Sequence, residues 1–247
     1  MSKIKHKNFG NYKISFCISC MNRLGHLQQT LPKNIIHNIS YPNIEFVVLD
    51  YNSSDKMCDW IKHKFRYLIK KGLLIFGRYE DAKYFHMSHA KNMAHRLATG
   101  DILCNIDADT FTNRKLANCI NDFFNKHANV FLSGREKFTG RLCFSKKDFI
   151  NLNGYNENIH GWGHEDTDIF LRGKKSGLQD ITLPDKYSNY RELHINHDDD
   201  IRVKNLQPEY QDKKITYKMD RHPDELPWTC GLGKIKVNFN KKLTKII

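Results

Sequence analysis

Between residues 12 and 107 the chain alternates, with short connections, between apolar runs of strand length and stretches whose apolar residues recur at helical spacing. No other feature narrows the fold as much. YKISFCISC (12–20), IEFVVLD (44–50), LLIF (73–76) and DILCNID (101–107) read as strands, while 25–37, 54–70 and 86–98 read as helices, the last stopping before Gly100. Strands joined through helices must cross over and run parallel, so the pattern predicts an α/β domain with a mixed, mostly parallel sheet flanked by helices. Helices over 113–127, 146–152 and 165–175, and strands over 129–133 and 141–145, continue it. Ligands of such sheets bind outside the carboxyl ends of the strands.

At 247 residues, with 40% hydrophobic and 12% aromatic residues, the chain can bury one large core despite a mean hydropathy of −0.64. Residues 1–220 are expected to form that domain, with nucleotide-binding chemistry in about 12–110 and acceptor binding in about 130–205, and 221–247 reads as a basic tail. No apolar run approaches the ~20 residues of a membrane span. MSKIKHKNFGNYK has charge but no apolar core, so no signal peptide is expected and the cytoplasm is the expected compartment. The net charge is 40 − 27 = +13, yet Lys and Arg are dispersed and no helix–turn–helix, zinc-finger or RNA-binding pattern appears. That argues against nucleic acid as a partner. The tail KIKVNFNKKLTKII, alternating basic and apolar residues, could instead rest on an anionic membrane surface. Seven cysteines without scaffold spacing suggest reduced thiols, and Cys17 and Cys20, three apart on a strand, should face opposite ways.

There is no G-x-G-x-x-G and no P-loop, so another device must handle phosphate if phosphate is bound. NIDADT supplies a candidate. Asp107 and Asp109 follow the apolar stretch ILCNI two residues apart, and in extended chain positions i and i+2 point the same way. Two carboxylates there suit a hard divalent cation such as Mn²⁺ or Mg²⁺, which can hold a diphosphate. A solvated acidic turn capping the next helix is the plainer alternative.

Some fifty residues on, GWGHEDTD places Trp162 between two glycines and Glu165 and Asp166 at the start of a helix. Glycines let the backbone pass close to a ligand and move, and an exposed Trp offers a flat face for a sugar ring. The alternative is that the acids only cap the helix and Trp162 fills a core slot.

In order and spacing these landmarks resemble the GT-A glycosyltransferases, close to family 2 and to the β-1,4-galactosyltransferases: Met21-Asn22-Arg23 after the first strand, Asp50 ending the second, Ala90-Lys91-Asn92 before the D-x-D, then Asp107-Ala108-Asp109 and Gly161 to Asp166. The likeness covers roughly residues 12–205. It implies a single GT-A (Rossmann-like) domain and a metal-dependent, inverting transfer of a hexose or N-acetylhexosamine, of galactose or GalNAc type, from a UDP-sugar to a glycan acceptor. Surface-polysaccharide or lipid-linked glycan synthesis at the inner membrane face would be its setting. By the same resemblance Asp166 is the general base and Glu165 holds acceptor hydroxyls. Asp107 and Trp162 serve the donor, Lys91 lies near the base and diphosphate, and Asp109 binds the metal, while Arg23 and Asp50, at the carboxyl ends of the first two predicted strands, are placed for the base and ribose.

RELHINHDDD adds His194 and His197, and imidazole suits Mn²⁺. The galactosyltransferases have a Met-x-x-His at this point, which aligns His194 with the Met and His197 with the His. Two residues depart from that family: Arg141 follows the Gly where it has a small apolar residue, and His164 replaces the second glycine of its G-W-G-G. Arg141 and His164 could meet an acidic acceptor. A nucleotidyltransferase on a related fold and a basic nucleic-acid-binding protein are the competing readings.

Overall fold

The computed structural model describes residues 10–134, 140–195, 203–211, 231–239 and 244–246. Strands β1 (Ile14–Cys20), β2 (Ile44–Asp50), β3 (Leu74–Arg78) and β4 (Ile102–Asn105) are the sheet's parallel centre. Together with β5 (Val130–Ser133), β6 (Cys143–Ser145), β7 (Gln179–Thr182), β8 (Lys234–Val237) and β9 (Thr244–Ile246) they make one sheet in the order β7-β5-β6-β4-β1-β2-β3-β8-β9. β6 runs antiparallel to β4 and β5, and β8 antiparallel to β3 and β9, so the sheet is mixed and mostly parallel at its centre.

Both faces of that centre are covered, which is why β1 and β2 are apolar almost throughout rather than alternating. One face packs on α1 (Leu24–Asn38), α2 (Met57–Lys64) and α5 (Leu116–Lys126) through Leu27, Leu31, Ile61 and Ile120. The other packs on α4 (Met87–Leu97) and α7 (Glu165–Lys175) through Ala90, Met93, Leu97 and Ile169. Each fully buried Leu, Ile or Met contributes about 1.5–3 kcal/mol. Cys20 belongs to the first face and Cys17 to the second, so the C-x-x-C thiols point into separate cores.

Register sets the geometry of the carboxyl end. Cys20, Asp50 and Arg78 are level across β1, β2 and β3, whereas Asn105 at the end of β4 is level with Cys17. The chain leaving β4 therefore reaches the rim of the sheet at Asp107–Asp109.

Three segments differ from the sequence expectation. The helix expected over 54–70 is two, α2 and α3 (Arg66–Lys70). Lys56 is left-handed (φ 64°), so the helix cannot start before it, and Phe65 leaves helical geometry (φ −115°) to pack its ring edge-on against Trp60 at 5.1 Å. The strand expected over 101–107 ends at Asn105, releasing the two aspartates into a turn. The segment 221–247 is not simply a tail: Lys234–Val237 pairs with β3 and β9 and buries Ile235 completely, because alternating basic and apolar residues suit a strand near the sheet edge with one face in solvent. Among the described residues no helix is long and apolar enough to cross a membrane.

Candidate active site

α1 carries the turn that follows β4. Thr30, Asn34 and Asn38 recur at i, i+4 and i+8 on one helix face, all buried, and face the backbone of 108–112. Thr30 Oγ1 donates to the Ala108 carbonyl at 2.7 Å, Asn34 Nδ2 to the Thr110 carbonyl at 2.9 Å, and Asn38 Nδ2 to Thr112 Oγ1 at 2.8 Å. The Thr112 N–H donates back to Asn34 Oδ1 at 2.6 Å. An irregular segment at this depth would otherwise bury unpaired peptide groups, so the ladder fixes its path. A short antiparallel bridge, Thr110 to His194, pins it from the other side, with Ile195 N–H on the Asp109 carbonyl at 2.9 Å.

That bridge brings His194 Nε2 to 3.2 Å from Asp109 Oδ2. Asp109 is 1% exposed, and the same Oδ2 is ion-paired with Arg23 Nη2. Asp107 is less buried, and its Oδ1 accepts from Asn105 Nδ2 at 3.2 Å. Two carboxylates and an imidazole form a donor set suited to Mn²⁺, but among the described residues no group of three His, Cys, Asp or Glu stands ready-made as a metal site. His197 lies outside the described residues.

The second half of the site comes from α4 and α7. Lys91, 3% exposed, donates to Glu165 Oε1 at 2.8 Å and to Asp166 Oδ1 at 2.7 Å. Glu165 and Asp166 are the first residues of α7, where carboxylates are favoured by the helix dipole. The entry to that helix is left-handed at Gly161 (φ 80°), Gly163 (φ 91°) and His164 (φ 70°), a conformation in which only the two glycines are relaxed. Gly140 closes the gap between the halves: a Cβ there would come to 3.0 Å from Asp166 Oδ2 and 3.1 Å from Asp107 Oδ2. The two acids thus flank one small backbone cradle.

Burial pushes the Asp166 carboxyl up to about 8; the Lys91 charge draws it down, while Glu165 and Asp107 add to the rise. Glu165 responds in the opposite direction: burial raises it, but the charge and hydrogen bond of Lys91 outweigh that and hold it below the usual carboxylate range. Burial works against the charge on Lys91, yet Asp166, Glu165 and Asp107 keep its proton on well above the ordinary value. The pair therefore differentiates into an ionised Glu165 and an Asp166 poised near neutrality, the pattern of a general base with a charged neighbour.

These residues line one cleft of about 730 Å³, counted out to solvent, at the carboxyl ends of β1 and β4. Arg23, Lys91, Asp107, Asp109, Trp162, Glu165 and Asp166 all line it. Asp50 does not. It is completely buried, its Oδ1 accepting from Ser53 N–H at 2.8 Å and its Oδ2 ion-paired with Arg78, and burial raises its carboxyl despite both partners. Lys91, expected near the base and diphosphate, lines the cleft with its ammonium on the acids of α7. Arg141, expected to face an acceptor, is 2% exposed and donates to the Tyr187 and Phe111 carbonyls at 2.6 and 2.7 Å. The guanidinium joins the loop after β4 to the helical turn Asp185–Ser188 and satisfies peptide carbonyls that its buried setting hides from water.

The structure also adds residues that sequence reasoning missed. Phe85, Met87, Asn205 and Leu206 complete the cleft wall. Asn205 is tied to the loop after β1, accepting from Asn22 Nδ2 at 3.0 Å and donating to the Met21 carbonyl at 3.1 Å. Nothing in the sequence signals this, since a lone Asn in a polar stretch has no pattern. The i+4 recurrence of Thr30, Asn34 and Asn38 was the one legible hint.

A family model described as the N-terminal domain of galactosyltransferase matches residues 122–198, the stretch that holds Gly140, the G-W-G segment, both acids and both histidines. No curated protein matches the chain by sequence. Among solved structures, the mannosyltransferase of Pyrobaculum calidifontis in complex with GDP-mannose and Mn²⁺ is similar at a TM-score of 0.59 and 19% identity, over 86% of this chain and 66% of that one. S. aureus TarS in complex with UDP-GlcNAc gives 0.57 and 13%, over 71% of this chain and 57% of the TarS fragment. A mutant Drosophila β-1,4-galactosyltransferase 7 with manganese, UDP-galactose and xylobiose gives 0.57 and 16%, over 85% and 82%. This chain spans just under two thirds of the mannosyltransferase and less of the TarS fragment. At these identities the likeness is one of architecture: the chain has the GT-A fold of these glycosyltransferases.

Proposed function

We propose that the protein is a metal-dependent, inverting glycosyltransferase that moves a hexose or N-acetylhexosamine, with the galactose type favoured, from a UDP-sugar to a glycan acceptor. The observation that carries this is the meeting, in one cleft, of Asp107 and Asp109, the latter backed by His194 at 3.2 Å, with Trp162, Glu165 and Asp166 from the other side. Asp109, His194 and Asp107 would hold Mn²⁺, with His197 as a further ligand. When bound, the cation neutralises charge developing on the departing diphosphate.

The remaining chemistry belongs to the chain itself. Asp166 accepts the proton of an acceptor hydroxyl as that oxygen attacks the anomeric carbon and the bond to the diphosphate oxygen breaks, work typically worth ~10²–10⁴ in rate. Attack opposite the leaving group inverts the centre. Glu165, kept ionised by Lys91, accepts hydrogen bonds from acceptor hydroxyls, and Trp162 offers its face to a sugar ring. Arg23 binds the diphosphate, and Asp50 contributes by fixing Arg78 and the Ser53 turn beside the base. Nucleotide contacts fall in about 12–110 and acceptor contacts in about 130–205.

A surface-polysaccharide or lipid-linked glycan is the acceptor class that suits a basic protein working against an anionic inner membrane face. With part of the tail committed to the sheet, the better contact is α2–α3, where Lys62, Lys64, Arg66, Lys70 and Lys71 are exposed around Tyr67, itself 68% exposed. Anionic vesicles at low salt should bind the protein and neutral ones should not.

The nucleotide reading is tested by equilibrium binding of UDP-galactose, UDP-GalNAc, UDP-GlcNAc and GDP-mannose, with and without Mn²⁺. A UDP-sugar should bind best and require the cation. Failure of every nucleotide to bind, or tight salt-dependent DNA binding in their place, would overturn it.

A further inference from the structure

Asp109 is the most buried acid of the cleft, and its Oδ2 carries two partners: His194 Nε2 at 3.2 Å and the guanidinium of Arg23. Arg23 is a fixed cation on a movable stem. Its backbone is clamped, because Asn22 N–H donates to Ser53 Oγ at 2.9 Å, Leu24 N–H to Asp55 Oδ2 at 2.7 Å and Asn22 Nδ2 to Asn205 Oδ1 at 3.0 Å. The side chain beyond Cα lies along the cleft wall and is 14% exposed. The guanidinium therefore sits on one oxygen of the acid that a divalent cation would use, close enough to compete with it, and no group of three ligating side chains stands preassembled among the described residues. Two cations cannot share that oxygen at close range in a buried setting.

Resting on the glycosyl-transfer reading, we propose that Arg23 is the resident counter-ion of the metal site and exchanges its partner when the donor binds, leaving Asp109 for the donor's diphosphate. Guanidinium matches phosphate bidentately, so the diphosphate offers Arg23 a second anion at least as good as the one it gives up. The vacated carboxylate oxygen then takes the cation. Divalent cation alone binds weakly, and cation and nucleoside diphosphate bind with positive coupling. By linkage the coupling is reciprocal, and couplings of this kind typically reach about 5–150-fold.

The test is Mn²⁺ binding to the full chain, read from the free-Mn²⁺ electron-paramagnetic signal, with and without UDP, in wild type, Arg23→Ala and Arg23→Lys. Free UDP with Mn²⁺ is the blank for their own complex. Arg23→Ala should bind Mn²⁺ alone on the order of 10-fold more tightly than wild type and gain less from UDP. Arg23→Lys keeps a competing charge and should stay weak. Because Arg23→Ala leaves Asp109 without its counter-ion, a thermal melt supplies the second measurement: Mn²⁺ should raise the Tm of Arg23→Ala more than that of wild type. Equal or weaker Mn²⁺ binding by a folded Arg23→Ala overturns the inference while leaving the enzyme reading intact. Absence of Mn²⁺ binding in every variant, even with UDP present, overturns both.

Discussion

Replacing Lys91 by Met keeps the length of the side chain and deletes its charge. The ammonium lies 2.8 Å from Glu165 and 2.7 Å from Asp166, and the three side chains are 3%, 4% and 17% exposed, so water cannot take its place. Removing one partner from a buried ion pair costs about 3–5 kcal/mol, because the remaining charge stays buried without compensation. For a chain of this size each kcal/mol moves Tm by about 2–4 °C, so Lys91→Met should lower Tm by roughly 6–20 °C at neutral pH. The sign with pH follows from the carboxyls. Without Lys91 both lose the charge that lowers their pKa, so Asp166 rises further above its unfolded value and Glu165, no longer held below its own, is raised by burial, and the folded state takes up protons as pH falls. The deficit relative to wild type is then largest above the folded values and shrinks toward the unfolded range near pH 4. Thermal and urea melts from pH 4.5 to 8.5 would measure it. Lys91→Met/Glu165→Gln/Asp166→Asn, which has no buried charge left to strand, should recover most of the loss. A single-variant loss below about 1 kcal/mol, or a deficit that grows as pH falls, would refute the claim that Lys91 is the compensating charge of this pair.

Asn34→Ala removes the partner of the Thr110 carbonyl and the Thr112 N–H, both buried, and should cost about 2–4 kcal/mol in a urea melt while weakening Mn²⁺ binding with UDP present. Gly140→Ala puts a methyl 3.0–3.1 Å from the Asp166 and Asp107 oxygens, so kcat/KM should fall at least about 10-fold with Tm little changed; an unaltered kcat/KM would show that the cradle is not used. With Asp166 up to about 8, kcat/KM should fall on the acid side below that pH, and Glu165→Gln, which removes a like charge that raises Asp166, should shift the limb to lower pH.

The strands and helices that set the fold were legible because burial on both sheet faces forces long apolar runs and helical periodicity into the sequence, as in IEFVVLD and α4. β7 and β8 were not, since QDIT and KIKV lie at or near sheet edges, half in solvent, and carry the polar residues such positions allow. Of the site residues singled out in the sequence, Arg23, Lys91, Asp107, Asp109, Trp162, Glu165 and Asp166 line one cleft, but their partners were not legible. Lys91 was visible as a basic residue near the D-x-D, but its pairing with α7 depends on the packing of two helices far apart in sequence. Arg141 misled because an arginine among sugar-site motifs suggests a ligand, while burial makes it a donor to peptide carbonyls. Asp50 sits where the pattern put it, at the end of β2, but Arg78 on the adjacent strand covers it, a consequence of register alone.

The central claim, metal-dependent sugar transfer with Asp166 as base, is tested most directly by turnover. Nucleoside diphosphate release would be followed with Mn²⁺ and each nucleotide sugar, with and without glycan acceptors, in wild type, Asp109→Ala and Asp166→Asn. The account predicts acceptor-dependent release from a UDP-sugar that stops on chelation, falls by at least ~10² in Asp166→Asn and is lost in Asp109→Ala. Wild-type turnover by Asp109→Ala, or no release from any donor, would contradict it.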